Sequence, residues 1–138
     1  MATIIIADDD PIVLEVAHEM LRSTGHTVLR AEDGKAALDM LGSADVDLLV
    51  TDMLMPAMDG VEVIMTLRAR HPAVKVLAIS SGGSLGAPYL LTMAKTLGAD
   101  AVLVKPLTKS VFISAVARLL EEPPAGAQQV PPLLSAAG

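Results

Sequence analysis

The chain has 138 residues, of which 52% are hydrophobic and only 1% aromatic, and its formal net charge is -6 at pH 7. A domain of this size buries about two thirds of the surface that its unfolded chain exposes, so one aliphatic core is expected and two full domains would be cramped. The acidic balance argues against a nucleic-acid partner, and the absence of cysteine excludes thiolate catalysis and cysteine-ligated zinc.

The N-terminus, MATIIIADDD, has no basic region and soon becomes acidic, which is unlike a secretory signal. The uncharged stretch at 76–94 is long enough to raise the question of a membrane segment, but Ser, Gly and Pro residues interrupt it. A span with such a centre would leave backbone polar groups exposed to lipid. We therefore predict a cytoplasmic protein that does not cross a membrane.

Short apolar runs alternate along the chain with segments of helical periodicity, a pattern typical of βα units and a parallel sheet. The predicted strands lie at 3–7, 27–31, 47–51, 74–79 and 101–104, and shorter helices are predicted near 34–41 and 60–70. Three longer helices are indicated by apolar stripes: Val13, Val16, Ala17, Met20 and Leu21; Leu90, Met93, Ala94 and Leu97; and Phe112, Ala115, Val116, Leu119 and Leu120.

Local signals place several helix ends. Asp10 followed by Pro11 predicts an N-cap with proline at the first helical position, and Gly25 and Gly98 predict helix C-termini. After Glu122 the chain reads PPAGAQQVPPLLSAAG, which is uncharged and rich in Pro, Ala and Gly. We therefore predict one folded domain at 1–122 and a flexible tail at 123–138.

Polar side chains follow four of the five predicted strands. Because the carboxyl ends of parallel strands share one edge of a sheet, and ligands bind beyond that edge, these side chains are expected to lie close together. They are Asp8, Asp9 and Asp10 after the first strand, Asp52 after the third, Ser80 after the fourth and Lys105 after the fifth.

Converging carboxylates repel one another unless a cation lies between them. An all-oxygen ligand set without His or Cys indicates a hard ion such as Mg²⁺, which prefers one or two carboxylates together with phosphate oxygens. A phosphoryl group arriving at Asp52 needs its oxygens neutralised, and a metal ion, the Lys105 ammonium and the Ser80 hydroxyl suit that task. Asp10 is interpreted as a helix cap instead.

Five segments resemble the receiver domain of two-component response regulators, over about residues 3 to 121. They are IIIADDDP at the start, GHTVLRAEDGKAAL at 25–38, DMLMPAMDGVE at 52–62, the strand ending in Ser80, and LGADAVLVKPL at 97–107. The resemblance implies a doubly wound, flavodoxin-like (βα)5 fold with strand order 2-1-3-4-5, and a cis Lys105-Pro106 bond.

The resemblance also implies a role for each site residue. Asp52 is expected to be the phospho-acceptor, and Ser80 and Lys105 are expected to contact the phosphoryl oxygens. Asp9 is expected to hold Mg²⁺ directly, with Asp8 assisting through water and with Asp52 and the Met53 carbonyl as further ligands. Histidine kinases or histidine phosphotransfer proteins would be the phosphoryl donors.

We therefore predict a stand-alone receiver that is a switch, not an enzyme acting on other molecules, and that signals by protein contact or by onward phosphotransfer. Two alternatives remain. One is an interaction module that works without phosphorylation, favoured by Val102, which stands where the family usually has an aromatic residue. The other is a haloacid-dehalogenase-like phosphatase, although Leu54 stands where that family has a second aspartate. The kinase, the downstream target and the oligomeric state are not determined by the sequence.

Overall fold

Five strands and five main helices alternate in the computed structural model, which describes residues 1–53, 55, 58, 60–80 and 87–121, without the side chains of 87–91. In chain order they are β1 (Thr3–Ala7), α1 (Pro11–Leu21), β2 (Thr27–Ala31), α2 (Gly34–Ser43), β3 (Leu48–Asp52), α3 (Gly60–Arg70), β4 (Lys75–Ser80), α4 (Ala87–Leu97), β5 (Ala101–Val104) and α5 (Lys109–Glu121), with a short 3-10 turn at Arg22–Thr24 after α1. The predicted tail at 123–138 lies outside the described residues.

The strands form one parallel sheet in the order β2-β1-β3-β4-β5, which confirms the predicted fold. Two predicted strands, at 47–51 and 74–79, were placed one residue too early: β3 is Leu48–Asp52 and β4 is Lys75–Ser80. Backbone pairing explains the shift, because Asp52 pairs with Ile79 and Ser80 pairs with Val104. The two polar residues therefore end ladders and are held by them.

Successive strand residues point to opposite faces of the sheet, and each face is covered by helices. On one face Ile5, Leu49 and Val76 pack with residues of α2, α3 and α4. On the other face Ile4 and Leu48 pack with residues of α1 and α5, including the fully buried Phe112. The core is aliphatic, as the composition predicted.

The predicted apolar stripe of α1 was partly wrong. Leu14, Ala17 and Leu21 form its buried face, whereas Val16 is 42% exposed. Because apolar residues stand at so many positions of this helix, periodicity permits two neighbouring stripes, and packing against α5 and β1 selects one of them. The stripe of α5 is confirmed, with Phe112 among its four buried residues.

The local signals for helix ends are confirmed. The Asp10 side chain accepts a hydrogen bond from the Ile12 amide at 2.9 Å, as an N-cap does. Gly25 and Gly98 end their helices with φ of 82° and 114°, values that L side chains rarely adopt. The Lys105-Pro106 bond is cis, as the resemblance implied.

None of the helices that the structure describes has the length and apolar character needed to cross a membrane.

Candidate functional site

The carboxyl edge of the sheet brings the predicted acidic residues together. Asp8 and Asp52 are buried, with 3% and 5% of their surface exposed, whereas Asp9 is exposed. One carboxylate oxygen from each of the three lies within 4.8 Å of the others. The Asp8 amide donates to the Ala31 carbonyl at 3.1 Å, which extends the β1–β2 ladder to the acidic residue and holds its backbone in place.

Lys105 bridges two of these carboxylates. Its Nζ lies 2.9 Å from Asp8 Oδ2 and 3.1 Å from Asp52 Oδ2. Its backbone amide donates to the Ser80 carbonyl at 2.8 Å, so the end of β4 positions the start of the chain that follows β5. The sequence predicted Lys105 as a partner of phosphoryl oxygens, but its direct bridging of Asp8 and Asp52 could not be predicted from spacing.

Burial and hydrogen bonding shift the pKa values of Asp8 and Lys105 in opposite directions. Burial raises the pKa of Asp8 above its ordinary value, although the hydrogen bonds from Lys105 and from the Asp10 amide oppose this, and the Asp52 charge adds to it. Burial on its own would lower the pKa of Lys105, but its hydrogen bonds to Asp8 and Asp52 and the charges of both raise it overall. The ammonium is therefore firmly charged at neutral pH.

We expect Asp8 to make the metal-free protein less stable as pH rises. Because its folded-state pKa is raised, the free energy of unfolding falls as pH increases from 3.8, the ordinary value, through the folded value. Asp8→Asn removes this titration, so the variant should gain in melting temperature relative to wild type at neutral pH, and the gain should vanish below pH 3.8. Thermal melts in EDTA across pH measure it; a difference that does not vary with pH would contradict the prediction.

Met53 and Ser80 complete the predicted site residues. Ser80 is 1% exposed at the end of β4. The Met53 amide donates to the Ile79 carbonyl at 2.9 Å, and the Met53 carbonyl accepts from the Gly60 amide at 3.1 Å. A carbonyl oxygen has two lone pairs, so this hydrogen bond leaves capacity for the predicted metal contact. Leu54, which the phosphatase alternative used, lies outside the described residues.

Gly60 lets the start of α3 approach the backbone of the site very closely. A Cβ added there would lie 2.4 Å from the Asp52 carbonyl oxygen and 2.7 Å from Met53 Cα. This glycine was not among the predicted site residues, although its place in the DMLMPAMDGVE segment was a signal. The close approach means that only glycine fits without moving the residues that carry the site.

Gly60→Ala should therefore displace the backbone of Asp52 and Met53. We expect it to destabilise the fold by about 2 kcal/mol, as overpacked positions typically do. Gly42→Ala, in α2, is the matched control because a Cβ there meets nothing within 4 Å, and it should be neutral or slightly stabilising. Denaturant unfolding compares the two, and equal stability of both variants would contradict the close-approach argument.

The cluster of Asp8, Asp9 and Asp52 has the chemistry of a hard-metal site. All the donor atoms are oxygens, two of the carboxylates are buried, and the Lys105 ammonium bridges Asp8 and Asp52. These residues fit a divalent ion such as Mg²⁺, which favours carboxylate and carbonyl oxygens.

A family model described as the response regulator receiver domain matches residues 4–117. The chain belongs to this family. Membership confirms the resemblance found in the sequence, and it removes the haloacid-dehalogenase alternative. Receivers of this family are phosphorylation-dependent switches, so no separate catalytic role is indicated.

Relatives and solved structures agree with that assignment. The chain is 34% identical over 117 residues to the response regulator MprA of Mycobacterium avium, covering 85% of this chain and 50% of MprA. It is 30% identical to the transcriptional regulatory protein GlrR of Escherichia coli, covering 88% of this chain and 27% of GlrR. The chain thus spans half or less of the length of these curated relatives.

Two solved structures match at nearly full length. The receiver domain of the Francisella response regulator 1452 superposes with a TM-score of 0.78 at 26% identity, covering 88% of this chain and 98% of that one. The chemotaxis response regulator CheY4 of Vibrio cholerae gives a TM-score of 0.78 at 26% identity, covering 86% of this chain and 98% of that one.

In the present chain, Val102 stands at the position where the family usually has an aromatic residue. Its side chain packs against the core on the α2, α3 and α4 side.

Proposed function

We propose that this receiver accepts a phosphoryl group on Asp52 from a phosphohistidine of a histidine kinase or a histidine phosphotransfer protein. One observation carries the proposal: Asp52 is buried at the carboxyl edge of the sheet, 3.1 Å from an ammonium and beside two further carboxylates. Burying a carboxylate beside two others lowers stability, and such clusters of ionisable groups are found mainly at functional sites. The neighbouring ammonium and carboxylates also suit phosphoryl transfer, which depends on charge neutralisation.

The reaction follows from the groups present. An oxygen of the Asp52 carboxylate attacks phosphorus, the bond between phosphorus and the histidine nitrogen breaks, and that nitrogen keeps the electron pair. Lys105 lies 3.1 Å from Asp52 and would donate hydrogen bonds to the phosphoryl oxygens during the transfer. The Ser80 hydroxyl would be a further donor. Most of the catalysis is thus positioning and charge neutralisation. Later attack of water on phosphorus returns the free carboxylate and inorganic phosphate.

Mg²⁺ is the proposed cofactor. Asp9 and Asp52 would hold it directly, Asp8 through water, and the Met53 carbonyl would be a further ligand. When bound, the ion supplies positive charge to the phosphoryl oxygens. The three carboxylates fit this role because their oxygens converge within 4.8 Å.

The proposal is tested by incubating the protein with a small phosphodonor, or with a phosphorylated histidine kinase, in Mg²⁺ and in EDTA. Intact-mass measurement should show one added phosphoryl group with Mg²⁺ and little or none in EDTA. Equal uptake in both solutions would contradict the metal assignment, and no uptake from any donor would favour the phosphorylation-independent module, for which Val102 in the aromatic position is the supporting feature.

The manner of output also remains a prediction. We propose that the receiver acts as a stand-alone cytoplasmic switch whose phosphorylated form contacts a target protein or passes the group to another histidine. Immunoblotting of cell extracts tests the first part, because a stand-alone protein should migrate near 14.3 kDa. A larger species would show that the receiver is joined to further domains.

A further inference from the structure

Arg68, near the end of α3, uses every donor of its guanidinium at the edge of the sheet opposite the phosphorylation site. Its Nε and Nη2 donate to the Gly98 carbonyl at 2.9 and 2.6 Å. Its Nη1 donates to the carbonyls of Pro72 and Val74 at 3.2 and 2.7 Å. Nη2 also donates to Asp100 Oδ2 at 2.6 Å. A guanidinium has five N–H donors, so all of them are satisfied.

Asp100 joins this network to the first residues of β4. Its Oδ2 also accepts from the Val76 amide at 2.8 Å, and its own amide donates to the Val76 carbonyl at 2.9 Å. Gly98 has a φ of 114°, and a Cβ there would lie only 3.0 Å from Arg68 Nε. The guanidinium therefore ties the loop before β4, the end of α4 and the approach to β5 into one junction, which we call the Arg68 clamp.

The clamp lies immediately before β5, at Gly98 and Asp100. β5 has four residues and is the edge strand beyond β4, so it is paired on one side only. Register in such a strand matters because a slip of one residue reverses which face each side chain occupies. Lys105 follows β5 directly, and its amide is the next hydrogen bond of the β4–β5 ladder after the Ser80–Val104 pair.

We propose that Arg68 and Asp100 are positioning residues for Lys105: by fixing the start of β5 on β4, they set where the Lys105 ammonium meets Asp8 and Asp52. The clamp contacts β4 at Val76, and the site lies at Ser80, about 13 Å further along the strand at about 3.3 Å per residue. Because β5 is short and is flanked by the hydrogen bonds of the Asp100 and Lys105 amides to β4, a shift of its first residues would also displace Lys105. The consequence for phosphoryl transfer rests on the proposed function; the positional claim does not.

Arg68→Lys is the most informative substitution. It keeps the positive charge and the aliphatic stem but replaces a planar five-donor group with one ammonium, which cannot reach all four acceptor groups of the clamp. Asp100→Asn is the second, milder variant, for use if Arg68→Lys fails to fold. Gly25→Ala is the control for general destabilisation, because Gly25 also has a positive φ at a helix end but lies between α1 and β2, away from the clamp.

Two measurements are made at a temperature where all variants are folded. The first is the rate of phosphoryl uptake from a small phosphodonor with Mg²⁺. The second, without phosphodonor, is hydrogen exchange of the Lys105 amide, with the Asp8 amide as internal reference because it donates to Ala31 on the β2 side. We expect Arg68→Lys to slow uptake about tenfold or more, and to speed exchange at Lys105 but not at Asp8, since small displacements of catalytic groups are costly. Gly25→Ala should leave the uptake rate at the wild-type value, and it should not speed exchange at Lys105 more than at Asp8.

Wild-type exchange at Lys105 in both clamp variants overturns the proposal, and so does equally faster exchange at Lys105 and Asp8, which would assign the clamp to general stability. Faster exchange at Lys105 alone with unchanged uptake overturns its catalytic consequence. If the wild-type protein itself takes up no phosphoryl group, the proposed function fails, and the exchange comparison still decides whether the clamp positions Lys105.

Discussion

Asp52→Asn is expected to abolish phosphoryl uptake, with a fall in rate of at least about a hundredfold, because an amide oxygen is not a nucleophile comparable to a carboxylate. The substitution keeps the size of the side chain and an oxygen that can accept the hydrogen bond from Lys105 Nζ, now at 3.1 Å. Removing one of three crowded carboxylates also relieves repulsion, so the fold should persist. Intact-mass measurement after incubation with phosphodonor and Mg²⁺ gives the result directly.

Asp39→Asn is the matched control for this experiment. Asp39 is exposed on α2, so its loss changes the net charge equally without touching the site. Uptake by Asp39→Asn should equal that of wild type. Should Asp52→Asn take up a phosphoryl group at the wild-type rate, another residue is the acceptor and the assignment of the site is wrong.

Lys105→Met is expected to have two large effects. Phosphoryl uptake should fall by about a hundredfold, the usual cost of removing one charge-stabilising donor from a reaction centre. In the metal-free protein, the two buried carboxylates of Asp8 and Asp52 would also lose the ammonium that bridges them. Loss of one partner from a buried ionic group typically costs about 3 kcal/mol, so the free energy of unfolding should fall by that order at neutral pH.

The loss of stability expected for Lys105→Met can be distinguished from a general folding defect by adding Mg²⁺. Mg²⁺ should restore part of the stability of Lys105→Met, because a divalent ion at the same carboxylates replaces the missing positive charge. Lys109→Met, at the exposed start of α5, is the control and should change neither property. Denaturant unfolding with and without Mg²⁺ makes the comparison, and a loss of stability that Mg²⁺ does not reduce would count against a counter-ion role for Lys105.

The structure suggests why the site needs a resident cation. Asp8 and Asp52 are buried, and their carboxylates lie together with that of Asp9. Lys105 spans both buried carboxylates, and we expect this contact to stabilise the site when no metal is bound. Under the proposed function, the same ammonium would also meet the new phosphoryl oxygens, so one side chain would act in the resting state and in the reaction.

The succession of strands and helices, and the polar residues that follow the strands, could be predicted from the sequence because they depend on local patterns, whereas the strand order of the sheet came from the family resemblance. Alternating apolar runs and helical stripes predicted the βα order, and the carboxyl ends of parallel strands collected Asp8, Asp9, Asp52, Ser80 and Lys105 at one edge. Caps such as Asp10 and Gly98 were predictable because each requires only a few neighbouring residues. The roles of the site residues came from the family resemblance and remain proposals for experiment.

Tertiary structure alone decided which of several permitted contacts are made. The buried face of α1 depends on packing against α5 and β1, so periodicity could not choose Leu14 over Val16. In the sequence Arg68 resembles an ordinary charge near the end of a helix, yet its acceptors come from the loop before β4 and the approach to β5. Lys105 bridges carboxylates that precede it by many residues in the chain. Local patterns determine elements and their ends, whereas such long-range partners exist only once packing has brought distant segments within hydrogen-bonding distance.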